Sequence, residues 1–295
     1  MKQTIFTGSA AALITPFTVN GEAVDYALFE NLCEYQINNG TQALVVAGTT
    51  GESPVLSKEE KKMLFRRAVD AAGGRVPVIA GTGSNSTEEA VRKSNEAEKE
   101  GVNALLVVTP YYNKCTQEGL IKHYFYIADR VSVPIIVYNV PSRTGVNILP
   151  ETYRALAEHK NIAAIKEANG DISSVAKTIA LCGDRLDVYS GNDDQTTAFL
   201  ALGGKGVISV AANIIPDVMQ VMATDRTRSA VLQLEYLPLL NALFCEVNPI
   251  PVKAAVEMIT GKTQPLRLPL TTISDSHHNS LLQLVKSYSL VNNMI

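Results

Sequence analysis

The chain reads as an α/β protein, a (β/α)8 barrel followed by a C-terminal helical region. Three observations predict this. Short apolar runs recur eight times between residues 10 and 213, each nearly free of charge until its C-terminal end. Charged segments with helix-capping residues separate them. Past about residue 225 the strand signal stops and only helical periodicity continues. The expected division is 1–224 for the barrel and 225–295 for the helical region.

The strand-like runs are AAALITPF (10–17), ALVVAGTT (43–50), VPVIAGTG (76–83), ALLVVTPYY (104–112), PIIVYNVP (134–141), IAAIKEA (162–168), LDVYSG (186–191) and GVISVAAN (206–213). Continuous runs rich in Val, Ile and Ala mark strands buried on both faces, as in a parallel sheet. Among the helix signals, Ser57 with Glu60 forms a capping box before KKMLFRRAV. Ser86 precedes Glu88 and Glu89, whose charges suit a helix N-terminus. Pro150 opens ETYRALAEH, and Gly101 and Gly183 stop helices. GTGSNS (81–86) is the best support for a doubly wound nucleotide fold. It lacks the third glycine of the dinucleotide fingerprint, and the next strand does not end in the required acid. No GK[ST] phosphate loop is present. In the C-terminal region, 232–244, 252–260 and 278–291 read as three helices, with PIP (249–251) and QPLRLP (264–269) as breaks.

Composition narrows the function. A net charge of -3, a pI near 5.9 and the lack of a basic stripe argue against nucleic acid as the main partner. No leader and no membrane-spanning run is evident, and Cys33, Cys115, Cys182 and Cys245 lack disulfide or metal spacing. They read as free thiols in a reducing compartment, which points to the cytoplasm. His123, His159, His277 and His278 have no partners at metal-ligand spacing, so no metal is expected. The His277–His278 pair reads as a helix surface.

A barrel of this type carries its chemistry at the C-terminal ends of its strands. The second run ends in Thr49 and Thr50, the fourth in Tyr111 and Tyr112, and the fifth in Tyr138 with Arg143 beyond it. The sixth contains Lys166, the seventh leads into Gly191-Asn192-Asp193-Asp194, and the eighth contains Ile208 and Ser209. Lys166 sits among apolar neighbours. Burial lowers an amine's pKa and makes it a nucleophile able to form a Schiff base with a ketone. It could instead be ion-paired, although Glu167 points to the opposite face of a strand. Such chemistry needs proton transfer, and tyrosines lie at strand ends where no histidine does. Tyr138 could relay protons with the hydroxyl of Thr49, or could simply fill the core. Thr50 and nearby backbone N–H groups could cradle a carboxylate. Arg143 could bind a second carboxylate with its two-pronged fork, or be a solvated loop charge.

GTTGES (48–53), TPYYN (109–113), YNVPSRTG (138–145), IKEA (165–168), SGND (190–193) and NPIPVK (248–253) occur in order along nearly the whole chain. Together they resemble the dihydrodipicolinate synthase family, of the pyruvate-dependent class I aldolase superfamily. The resemblance implies that Lys166 forms the Schiff base with pyruvate and that Tyr138 is the central proton-transfer residue. Thr49, and Tyr112 from a neighbouring subunit, would complete the relay. Thr50 would hold the pyruvate carboxylate, Arg143 would bind L-aspartate 4-semialdehyde, and Gly191 and the Ile208 carbonyl would line the pocket. The implied product, 4-hydroxy-tetrahydrodipicolinate, feeds diaminopimelate and lysine synthesis. No cofactor is implied, and the family is commonly a homotetramer built as a pair of tight dimers. Within the superfamily an N-acetylneuraminate lyase-like or keto-sugar-acid aldolase is the nearest rival, disfavoured by Arg143. A keto-acid binder without turnover is disfavoured by the intact Lys166, Tyr138, Thr49 and Tyr112.

Two departures stand out. Lysine-inhibited members commonly carry histidine on the helix after GTTGES, where this chain has Lys58 and Lys61, with Pro54 after Ser53. Asn85, Glu89 and Tyr111 of that possible allosteric site do match. Added cations repel a cationic effector, so weak or absent lysine inhibition is expected. MATDRTRSAV (222–231) is also a few residues short of the family's usual helix–loop–helix.

Overall fold

The apolar runs become eight parallel strands that close on themselves, each paired with the next and the eighth with the first. The computed structural model describes residues 4–291, so the outer ends of both expected regions, 1–3 and 292–295, lie outside the described residues. Strand β1 (Gly8–Ala12) is followed by helix α1 (Tyr26–Asn38), β2 (Ala43–Val46) by α2 (Lys58–Ala72), and β3 (Val78–Gly81) by α3 (Thr87–Glu98). Then come β4 (Ala104–Val108) with α4 (Gln117–Ala128), and β5 (Ile135–Asn139) with α5 (Pro141–Thr144) and α6 (Pro150–Leu156). The barrel closes with β6 (Ile162–Glu167), α7 (Ile172–Cys182), β7 (Asp187–Ser190), α8 (Thr196–Ala201), β8 (Gly206–Ser209) and α9 (Pro216–Thr224). Three further helices follow, α10 (Ser229–Ala242), α11 (Ile250–Thr260) and α12 (Asp275–Ser287).

The local signals act as their chemistry requires. Ser57 and Glu60 exchange side-chain and backbone hydrogen bonds as a capping box on α2. Ser86 caps α3, Pro150 is the first residue of α6, and Gly183 ends α7 at φ 54°. The PIP motif starts α11 rather than only breaking the chain, because proline suits the first helical turn, where its missing N–H is not needed. Four residues, Asp225–Arg228, join α9 to α10, and the Asp225 carboxylate accepts from the Thr227 and Arg228 N–H groups. His277 and His278 lie in the first turn of α12, and His277 pairs with Glu246 at 2.8 Å.

The strands are shorter than the apolar runs. In the first run the ladder stops at Ala12, while Leu13 and Ile14 stay buried in the rim. Thr49, Thr50, Tyr111 and Tyr112 likewise lie in loops beyond β2 and β4, not within strands. Alternation sorts the side chains. Ala43 and Val45 join the interior cluster with Ala10, Ala12, Ile79 and Leu106, whereas Leu44 and Val46 pack under the helices. Ala12, at the C-terminal end of β1, lines a cavity at the mouth.

The helical region is fastened to that mouth by a buried ion pair. Lys253 on α11 and Glu52 in the loop after β2 approach to 2.7 Å, with both side chains fully buried. Glu52 holds a left-handed backbone at φ 54°. The Lys253 ammonium and the Arg267 guanidinium both sit over the Phe17 ring, at 4.3 and 4.2 Å. Arg267 also pairs with Glu60 at 2.6 Å, tying the segment after α11 to α2.

Candidate active site

Lys166 faces the barrel interior because of an irregularity in β6. Its pairing with β5 skips from Ile162 to Ala164, after which Ala164 and Lys166 point inward and Ile165 and Glu167 outward. Lys166 stands beside Tyr138 in register, its Nζ 4.5 Å from the centre of the tyrosine ring. Burial lowers the Lys166 pKa to about 8, opposed by the Asp193 carboxylate and reinforced by the Arg143 cation. The free-base fraction near neutral pH is therefore far above that of an ordinary lysine, while the ammonium still predominates below about pH 8. Burial raises the Tyr138 pKa, while Arg143 and a hydrogen bond with Thr49 pull it back.

Asp193 is the buried acid facing the lysine. Its Oδ2 accepts from the N–H groups of Val210 and Ala211 at 3.1 and 2.9 Å, just beyond β8. Burial raises its pKa, against the Ser209 hydrogen bond and the Lys166 charge. Gly191 must be glycine here. A Cβ at that position would stand 2.7 Å from the Ala168 Cβ and 3.1 Å from Lys166 Cε.

On the outward face of β6, Glu167 accepts from Tyr153 Oη at 2.6 Å and from Asn139 Nδ2 at 2.9 Å. It makes no ion pair with Lys166, as strand alternation requires. Burial raises its pKa to about 7, against those hydrogen bonds. Asn139 also donates to Asn147 Oδ1 at 2.8 Å and accepts from Ile148 N at 3.2 Å. The loop carrying Arg143 is thereby fastened at its far end to β5 and β6.

A cavity of about 180 Å3 is lined by Lys166, Tyr138, Thr49, Thr50, Arg143 and Gly191. Asn248 joins two of its walls. Its side chain donates to Thr50 Oγ1 at 3.0 Å, and its carbonyl accepts from Arg143 Nη2 at 3.2 Å. A wider cavity of about 780 Å3 adjoins it and shares Thr49, Tyr138 and Arg143. Tyr112 lines only this outer cavity, 91% exposed and with φ 71°. Ile208 is buried in the interior cluster that contains Tyr138.

The residues of the possible allosteric site gather only in part. Ser53, Lys61 and Tyr111 line the outer cavity. Lys58 and Glu89 line a third cavity, of about 400 Å3, between α2 and α3, and Lys61 borders both. The Asn85 carbonyl accepts from Asn113. Among the described residues no cluster of three or more His, Cys, Asp or Glu could hold a metal ion.

Sequence reasoning assigned no role to Asp193, Glu167 or Asn248. SGND and NPIPVK contain the first and last, but their partners lie far away in the chain. Burial of Glu167 could have been read from its apolar run.

Residues 5–288 match the family model described as the dihydrodipicolinate synthetase family. A relative named 4-hydroxy-tetrahydrodipicolinate synthase 1, from Clostridium acetobutylicum, is 51% identical, covering 97% of this chain and 99% of the relative. A crystal structure of dihydrodipicolinate synthase from Thermotoga maritima is 44% identical with a TM-score of 0.95, covering 98% of this chain and 100% of that one. The enzyme from Cyanidioschyzon merolae, solved with lysine bound, is 40% identical with a TM-score of 0.94, covering 98% and 100%. A (β/α)8 barrel with a buried, register-paired lysine and tyrosine at its C-terminal mouth, matched in sequence over nearly its whole length, belongs to the dihydrodipicolinate synthetase family.

Proposed function

We propose that this chain is a 4-hydroxy-tetrahydrodipicolinate synthase, a class I aldolase-type lyase acting in diaminopimelate and lysine synthesis. The observation that carries this reading is the Lys166 amine, buried with a pKa of about 8 beside Tyr138 in a small cavity that also holds Thr50 and Arg143. The amine attacks the ketone carbon of pyruvate, and loss of water leaves an iminium. A proton then leaves the methyl carbon, giving an enamine. The enamine carbon attacks the aldehyde of L-aspartate 4-semialdehyde, whose oxygen takes up a proton. The substrate's own amine adds to the former ketone carbon, closes the ring and releases Lys166. Tyr138 and Thr49 shuttle the protons. Thr50 takes the pyruvate carboxylate, Arg143 the semialdehyde carboxylate, and Gly191 shapes the wall, while Ile208 lies in the interior cluster with Tyr138. Arg143 in the wall of that cavity suits a second short carboxylic acid better than an extended polyol. No cofactor takes part in these steps.

The test is reductive trapping. Borohydride with pyruvate should add mass at Lys166, and Lys166→Ala should abolish the adduct. Turnover with aspartate semialdehyde rather than N-acetylneuraminate then identifies the substrate. Arg143→Ala should lower kcat/KM for the semialdehyde by roughly 30-fold or more while trapping persists. Trapping at another residue, or loss of trapping in Arg143→Ala, would overturn these roles.

The assembly is read as a homotetramer of two tight dimers, with Tyr112 completing a neighbour's relay. Its exposure and left-handed backbone fit a residue offered outward. Inactive Tyr112→Ala and Lys166→Ala proteins should regain partial activity when mixed and reassembled, because some subunits then receive both groups. No recovery would keep Tyr112 within its own subunit. The division at 224/225 into a catalytic barrel and a helical region, and a cytoplasmic setting, belong to the same reading. Free cysteines support the latter, and among the described residues no helix is long and apolar enough to cross a membrane.

A further inference from the structure

Arg143 has little to hold its side chain. It is exposed, and among the described residues its guanidinium makes one hydrogen bond, to the Asn248 carbonyl at 3.2 Å. A long side chain so lightly held keeps much of its rotamer freedom, so its reach is set by the backbone beneath it. That backbone is the turn from Val140 to Asn147, which leaves β5 through α5 and the left-handed Gly145 at φ 70°. Thr109 and Gln117 brace the turn from the side of β4 and α4.

Asn139 joins the turn to the strand that carries Lys166. Its Nδ2 donates to Asn147 Oδ1 at 2.8 Å and to the two Glu167 carboxylate oxygens at 2.9 and 3.1 Å. Its Oδ1 accepts from Ile148 N at 3.2 Å. Both N–H groups and the oxygen are engaged, a pattern that suits an amide and neither a carboxylate nor an apolar side chain. Glu167 anchors the set, since Tyr153 Oη and the Asn169 N–H also donate to it. Asn139 and Glu167 are buried and pair across β5 and β6, one residue beyond the pairing of Tyr138 with Lys166. Neither is among the residues that line the Lys166 cavity. One rung therefore carries the amine and its phenol, and the next sets where the Arg143 turn leaves the sheet.

We propose that Asn139, anchored on Glu167, is a positioning residue for the second substrate. It sets the reach of Arg143 relative to Lys166, and so acts on the semialdehyde step and not on Schiff-base formation. The assignment rests on the synthase reading of the site.

Steady-state kinetics and borohydride trapping of the full-length protein test it. Asn139→Ala should raise KM for aspartate semialdehyde roughly fivefold or more, with the pyruvate KM and the trapping rate at Lys166 within about twofold of the parent. Asn147→Ala, at the exposed end of the turn, should shift the semialdehyde KM the same way by a smaller factor. Glu167→Gln keeps an oxygen for Asn139 and should stay close to the parent. In an Arg143→Ala background, Asn139→Ala should add less than about a twofold effect, because it works through Arg143. Thermal melts show which variants are folded, and Asn147→Ala takes the place of Asn139→Ala in each comparison if the latter is not. Losses that add in the double variant would overturn the proposal. So would a fall in pyruvate trapping that matches the loss in semialdehyde use, or a parent-like semialdehyde KM in the folded asparagine variants. A parent that does not trap pyruvate at Lys166 would instead remove the synthase reading, and the positioning role with it.

Discussion

At the scale of single residues, the Lys166 amine sets a pH dependence. Its free-base fraction rises as pH passes through about 8, so the pyruvate trapping rate should climb across that range and then level off. Asp193 favours the ammonium form, so Asp193→Asn should move the midpoint of that climb to lower pH. A merely structural loss, from freeing the Val210 and Ala211 N–H groups, would reduce the amplitude and leave the midpoint in place. Rapid-quench trapping against pH separates the two. Lys166 was legible in the sequence because a charged residue interrupts an apolar run, and Tyr138 and Arg143 because barrel strands end at the site. Asp193 was not legible as the lysine's counter-charge. It meets Lys166 only when β6 and β7 pair and the chain turns back along β8, and no local pattern encodes that meeting.

At the scale of elements, β5 and β6 share one buried polar cluster behind the catalytic face. Glu167 has a folded-state pKa near 7, above the usual carboxylate value of 4.5. The folded protein therefore holds a proton that the unfolded chain releases between those pH values. The contribution to stability is fully present below about 4.5 and is lost as pH rises through about 7. Glu167→Gln does not titrate, so its stability relative to the parent should improve by on the order of 3 kcal/mol from pH 4.5 to 7. Denaturant melts at several pH values measure this, and a pH-independent difference would refute it. The strand positions and the caps followed from the sequence pattern. The skip at Ala163 and the way Asn139 ties Glu167 to Asn147 did not, because strand register is decided between chain segments.

At the scale of the whole molecule, barrel and C-terminal helices are joined by the enclosed Lys253–Glu52 pair. Removing one partner strands the other charge away from water. Lys253→Met should therefore cost about 3–5 kcal/mol, and Glu52→Leu added to it should restore much of that loss. Thermal and urea melts of the cycle give the answer, and additive losses would refute the coupling. The sequence showed the helical region but not its attachment, since Glu52 and Lys253 lie two hundred positions apart. Asn248 extends that attachment into the chemistry, touching Thr50 with its side chain and Arg143 with its carbonyl. The catalytic unit is thus not a portable module. A gene cut after the eighth strand, or a chimera exchanging only the last three helices, would put at risk the alignment of Thr50 and Arg143, even where the barrel still closes.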